Sequence, residues 1–385
     1  MVPNWRDLRQ QIQSDGSSIV SYSFCGGCYV IMETWVLDRI HDARESGASQ
    51  LDLSYGKISV IPDELLQLTN LNSLNLFFNS IGDEEASVLS SLTNLTSLNL
   101  SCTFIGDEGA SALSALTNLT SLKLHRNSVG DKGARALSKL TNLTSLDLSH
   151  NHIADEGARW LSTLTSLTLL DLNFNEIGAE GALGLSKLTG LTSLSLRCNS
   201  IGAEGAQSLS TLRSLASLNL DDNSIGVEGT RALSRLAGLT ALSLKYNCVG
   251  AEGARSLSTL TKLTSLDLGS NCIGDDGAIA VSKLGKLAQL DLNRNSIGPE
   301  GARALSQLSN LTVLNLQFNR IGDEGALALS TLTKLAALNL ESNSIGDDGA
   351  IALSTLTNLA SLELNFNKIG DEGSRALSTR RYIRD

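Results

Sequence analysis

Three of the chain's four histidines, His125, His150 and His152, lie close together in the sequence, with Cys102, Asp147 and Asp171 nearby. Imidazole, thiolate and carboxylate are the ligands zinc takes. Their spacing is not the tight Cys-x-x-Cys or His-x-x-x-His kind, so the group reads first as exposed polar residues and only weakly as a metal site. Cys25-Gly-Gly-Cys28 does have the tight spacing. A zinc site needs a second pair and a redox thiol needs a helix start; neither is visible, and His41 is the only extra ligand nearby. Acidic pairs such as Asp107-Glu108 recur along the chain. They suit calcium along one edge, or helix starts. The flanking glycines favour the second, with Asp107 capping the helix that Glu108 begins. Serine recurs too often for a Ser/His/Asp set to stand out, and no Gly-x-x-x-x-Gly-Lys-Ser/Thr occurs. No enzyme chemistry and no cofactor is expected.

These residues sit on a repeating frame. One copy reads Leu92-Thr-Asn-Leu-Thr-Ser-Leu-Asn-Leu100, then Ile105-Gly-Asp-Glu-Gly-Ala-Ser-Ala-Leu-Ser114. The Leu-x-Leu core returns every 24 residues from Leu74 to Leu362, thirteen copies without an insertion, and Leu51-Asp-Leu53 adds a fourteenth one residue out of step. A fixed period of this size means a solenoid. Leu98 and Leu100 alternate with Ser97 and Asn99, a half-buried strand, and neighbouring copies stack as parallel strands about 4.8 Å apart. Ala110, Leu113 and Leu116 form a helical stripe facing the strand. Asn127, Asn151 and their counterparts follow each strand as a buried hydrogen-bonding column; Gly56 and Thr103 break it and predict local looseness. Residues 1–48 are an N-terminal segment with a capping helix over 32–46, whose face holds Met32, Val36, Ile40 and Ala43 with Trp35 and Leu37 beside it. Residues 49–378 are the solenoid and 379–385 a tail. Arg380, Arg381 and Tyr382 shield the last core, or that end self-associates, or the natural chain continues.

Leu143 to Asn151, a Leu-x-x-Leu-x-Leu-x-x-Asn run, and phrases such as Gly133-Ala-Arg-Ala-Leu137 and Gly325-Ala-Leu-Ala-Leu329 resemble the leucine-rich repeat family over roughly residues 49 to 378. They look most like helix-bearing bacterial repeats, similar to those of ribonuclease-inhibitor type but shorter. The resemblance implies an α/β arc, with parallel strands on a concave face and short helices on a convex face. It also implies an Asn ladder and a non-catalytic binding role. Two alternatives are the recognition part of a bacterial effector whose enzyme, such as a ubiquitin ligase, is absent, and an enzyme inhibitor.

Three columns face the concave side by strand alternation. Two of them vary freely while the frame does not, which is the pattern of a recognition surface. Those 28 positions hold seven of the chain's 15 aromatics, where chance gives about one: Tyr55, Phe77, Phe78, Phe174, Tyr246, Phe318 and Phe366. Exposed rings on a rigid sheet make good anchors, although such rings also pack on their neighbours. His125, Arg126, His150, Arg197 and Arg294 share the columns. Nine acids face five bases across the three columns, which suits a protein partner with a basic or mixed surface. A net charge of -10 argues against nucleic acid. No run reaches 18 apolar residues, so no membrane span is expected. Six cysteines without a framework read as a reducing compartment, cytoplasmic or a host cell entered by delivery. Asn94, Asn118, Asn142 and Asn310 begin glycosylation sequons only as by-products of the repeat.

Overall fold

A computed structural model describes residues 19–24 and 28–378, in two compact units that divide after Glu176. The first unit opens with two antiparallel strands, Ile19–Phe24 and Cys28–Glu33, and a helix, Thr34–Ser46. Six parallel strands follow, from Gln50–Asp52 to Leu169–Asp171. The second unit holds eight, from Ser193–Ser195 to Ser361–Glu363. Every parallel strand is three residues long, and equivalent residues pair, as Leu98 does with Leu122. Helices of seven or eight residues alternate with the strands, except in the first repeat. There Pro62 replaces the turn glycine and the helix is only Asp63–Leu66. Each repeat contributes the same core: Leu98, Leu100, Ile105, Ala110, Leu113 and Leu116 are all fully buried in one of them. In the last repeat Leu362, Leu364 and Ile369 are half-buried instead.

The capping helix begins two residues later than its apolar spacing predicts, because residues 28–33 pair as a strand. Val36, Leu37, Ile40 and Ala43 are buried, so Leu37 belongs to the packed face rather than beside it. Cys25 and the tail residues Arg380, Arg381 and Tyr382 lie outside the described residues, while Cys28 opens the second antiparallel strand.

The ladder asparagines bind two repeats together. Asn127 Nδ2 donates to Leu100 O at 2.8 Å and Leu124 O at 3.1 Å, and its Oδ1 accepts from Ile105 N–H at 2.8 Å. The looseness expected at Thr103 is absent: its hydroxyl lies 2.7 Å from Leu100 O and 2.9 Å from Asn127 Oδ1. Gly56 is closed for another reason. A Cβ there would stand 2.7 Å from Val36 Cγ2, so the missing side chain admits the capping helix.

The aspartate at the head of a helix acts on the next repeat, not its own, which corrects the expected cap. Gly106 occupies the N-cap with no side-chain bond. Asp107 Oδ1 instead accepts from Gly130 N–H at 2.7 Å and Gly133 N–H at 2.8 Å, at the head of the following helix. Asp131, Asp275, Asp323 and Asp347 repeat the arrangement. The reason is stacking: helix heads lie side by side, so a carboxylate at the first helical position reaches the neighbour's open N–H groups. Gly133 is required here, since a Cβ on it would stand 2.7 Å from Asp107 Oδ1.

Where the aspartate is missing, the next turn changes shape. Ala179, Ala203, Val227, Ala251 and Pro299 stand in its place, and the following Gly202, Gly226, Gly250, Gly274 and Gly322 all take left-handed φ of 57° to 64°. Their N–H groups then find the carbonyl of the next ladder asparagine, as Gly226 finds Asn247 O at 2.9 Å. With the aspartate present the glycine is extended, as Gly130 is at φ -106°. A prediction follows from one exception. Asp131 serves Ala154, which has a Cβ that resists the left-handed form. Asp107→Ala should cost about 1 kcal/mol, because Gly130 can flip. Asp131→Ala should cost about 2–3 kcal/mol, and Ala154→Gly should recover most of the excess in urea unfolding.

Candidate functional site

The first exposed column proves to be structural at one oxygen. Asn99 Oδ1 accepts from Ser101 N–H at 3.0 Å, and the same turn closes at Asp147, Asp171, Asp267, Asp291 and Asn315. Ser243 is too short for this, and Asp221 of the preceding repeat accepts Lys245 N–H at 2.8 Å in its place. Of the nine acids counted on this face, six hold a backbone N–H, Asp52 being the sixth through Ser54. Much of the face's negative charge is therefore fixed by folding.

The third column is different. All fourteen of its residues, Tyr55 to Phe366, sit at left-handed φ between 53° and 59°. That region costs an ordinary residue roughly 1 kcal/mol and suits Gly and Asn. Neither occurs. Six positions are aromatic (Tyr55, Phe78, Phe174, Tyr246, Phe318, Phe366), and His150, Arg126 and Arg294 are also large. Local backbone energy does not choose these side chains. Exposure is substantial: Phe366 is 83% exposed, Tyr55 59% and Phe78 58%. Tyr246→Gly should accordingly leave stability within about 1 kcal/mol of native in urea unfolding, because the glycine relieves the strained φ. Truncating a core ring would cost about 3–5 kcal/mol.

The rings also touch one another. In the first unit Tyr55 lies 5.2 Å from both Phe77 and Phe78, ring centre to ring centre. Phe77 is half-buried, so of the two adjacent rings Phe78 is the exposed one. Tyr55, Phe78 and Phe104, with Lys57, line a shallow cavity of about 440 Å³. Phe104, at 69% exposure, escaped the sequence reading. It belongs to a fourth column, the residue after each ladder asparagine, whose members are all exposed: Lys57, Phe104, His152, Glu176, Cys248 and Arg320 among them. Its variability was the available signal, masked by the many serines there. In the second unit the Arg294 guanidinium stands 4.2 Å over the Phe318 ring and Lys245 stands 5.5 Å from Tyr246. Arg126 and Arg197 are exposed.

The histidines divide. His150 stacks on Phe174 at 4.0 Å and meets His125 edge-on at 5.1 Å. His125 Nδ1 lies 2.8 Å from Ser149 Oγ, which reaches Asp147 Oδ1 at 2.5 Å. His152 is in the fourth column, with its Nδ1 3.9 Å from Glu176 Oε1. Among the described residues no three His, Cys, Asp or Glu side chains are grouped to hold a metal ion.

Two carboxyls are raised well above their ordinary value. Burial pushes Asp171 up to about 6, with neighbouring Asp147 adding to it against the Asn173 N–H. Burial likewise pushes Asp267 up to about 6, with Asp291 and Asp221 adding and the Gly269 N–H and Lys245 opposing. Because the folded value lies above the unfolded one, the native state holds the extra proton between about pH 4 and 6 and loses stability as pH rises through that window. Asp267→Asn keeps the Gly269 acceptor. It should raise stability at pH 7.5 by about 1–2 kcal/mol, after allowing for partial exposure, and flatten the stability profile between pH 4 and 6.

The sequon asparagines have structural work: Asn94, Asn118 and Asn142 donate to Thr69, Thr93 and Thr117 carbonyls of the repeat before, at 2.8–2.9 Å.

A family model described as "Leucine rich repeat" matches residues 93–153, 117–177, 189–249 and 309–369, more than half of the chain. A second model of the same description matches residues 67–90, 259–282 and 286–306. No curated protein matches the chain. Among solved structures, an internalin (inlF) from Listeria monocytogenes is 27% identical over 91% of this chain and 94% of its own, with a TM-score of 0.62. The LRR protein LIC12759 of Leptospira interrogans is 25% identical over 88% and 96%, with a TM-score of 0.58.

Proposed function

The chain belongs to the leucine-rich repeat family, and from that premise we propose that it is a non-catalytic scaffold holding a partner protein on the strand side of its repeats. Leucine-rich repeat proteins are generally protein-interaction scaffolds. The observation that carries the reading is the left-handed column. Fourteen positions that would be least strained as Gly or Asn carry neither, and nine of them carry aromatic, imidazole or guanidinium groups. Those are the side chains that dominate protein interfaces. Each unit presents its own anchors: Tyr55, Phe78 and Phe104 in the first, Tyr246, Phe318 and Phe366 in the second. The partner complements a mixed face, with basic groups meeting the carboxylates and acidic ones meeting Arg126, Arg197 and Arg294.

The test is capture from lysate of the source organism by the native protein and by two variants, Phe78→Gly/Phe104→Gly and Tyr246→Gly/Phe318→Gly. A partner held by the native protein and lost by either folded variant supports the reading. Equal capture by all three overturns it and moves binding to the helices or the ends.

A further inference from the structure

We propose that Cys248 and Cys272 form a two-thiolate site for one soft, thiophilic metal ion of the copper(I) class. Both cysteines are exposed, and both occupy the fourth column in neighbouring repeats of the second unit. Each sits at the same left-handed φ of 54°, at the equivalent position of its repeat. Hydrogen bonds lock the two turns in register around them. Asn247 N–H and Val249 N–H donate to Asn271 Oδ1 at 3.0 and 3.1 Å, and Gly250 N–H donates to Asn271 O at 3.0 Å. Asn271 directly precedes Cys272.

Paired parallel strands stand about 4.8 Å apart, and the ladder hydrogen bonds carry that stacking into the turns that hold the two cysteines. A disulfide wants Cβ atoms at about 3.8 Å, closer than that strand spacing. Two metal–thiolate bonds near the zinc–sulfur length of about 2.3 Å, placed end to end, span nearly the same distance as the strand spacing. That is the geometry of a linear, two-coordinate soft ion. No third His, Cys, Asp or Glu joins the pair among the described residues, which fits two-coordination and not tetrahedral zinc. The flanking members of the column are Ser224 and Ser296. Binding one ion displaces the two thiol protons to solvent, leaving a bis-thiolate complex. The remaining described thiols differ: Cys198 is pushed up by burial, with the Asp222 carboxylate 3.6 Å away opposing ionisation, and Cys102 is partly buried with no cysteine in the equivalent place beside it.

Anaerobic titration tests this with copper(I) held by bicinchoninate, in a Cys25→Ser/Cys28→Ser background that removes the thiols of the Cys-x-x-Cys sequence. One equivalent should pass to the protein. Adding either Cys248→Ser or Cys272→Ser should abolish that transfer, while Cys102→Ser and Cys198→Ser should leave it intact. Circular dichroism confirms that each variant folds. No transfer in the background protein overturns the proposal, and so does transfer that survives loss of either thiol.

Discussion

Asn247→Leu should lower stability by about 4 kcal/mol or more, the largest effect expected of any single substitution away from the apolar core. Asn247 is fully buried. Its Nδ2 donates to Leu220 O at 2.7 Å and Lys245 O at 3.0 Å, and its Oδ1 accepts from Asn223 N–H at 3.2 Å and Ile225 N–H at 3.0 Å. Leucine has a similar volume but strands four backbone groups in a space closed to water, each at about 1–3 kcal/mol, partly relieved by relaxation. The converse applies at the broken rung. Thr103 has one proton and two acceptors within reach, so Thr103→Asn should add about 1 kcal/mol by supplying a second donor. Urea midpoints at constant slope measure both changes.

The second large effect concerns binding. Losing two exposed rings from one unit, Phe78→Gly/Phe104→Gly or Tyr246→Gly/Phe318→Gly, should weaken the captured partner at least 100-fold, or about 3 kcal/mol, where those rings are its anchors. Stability should move by less than half of that, because each of Phe78, Tyr246 and Phe318 leaves a left-handed position that glycine occupies without strain. The combination separates a recognition surface from ring-on-ring packing. If the rings served mainly to pack on one another, as Tyr55, Phe77 and Phe78 partly do, stability would fall and affinity would follow it only through unfolding.

Much of the architecture was legible because a 24-residue period repeats one local solution. Leu98, Leu100, Ile105 and Leu113 must all be buried, and a strand followed by a helix is the arrangement that buries them together. The ladder asparagines were legible for the same reason. What stayed hidden lies between repeats. Asp107 looks like a cap for its own helix, because the carbonyl and amide partners within one repeat can be counted from sequence. Its true partners, Gly130 and Gly133, become near only when helix heads stack. The left-handed column was hidden because its residues are not the ones that advertise that conformation; Tyr, Phe and Arg there give no local signal. The strands at 19–24 and 28–33 were missed because a mildly apolar stretch without clear alternation does not separate strand from coil. Of the candidate site, the exposed rings were found by their concentration in two columns. Phe104 and the fourth column were not, because strand alternation was followed only as far as the ladder asparagine.

The most direct test of the binding account is site-specific photo-crosslinking to the captured partner. A benzophenone side chain is placed at Phe318 on the strand side and, separately, at Leu327 on the helix of the same repeat, both exposed in the free protein. The account predicts a covalent adduct from position 318 and none from 327. An adduct from 327 alone would contradict it and put the partner on the helices.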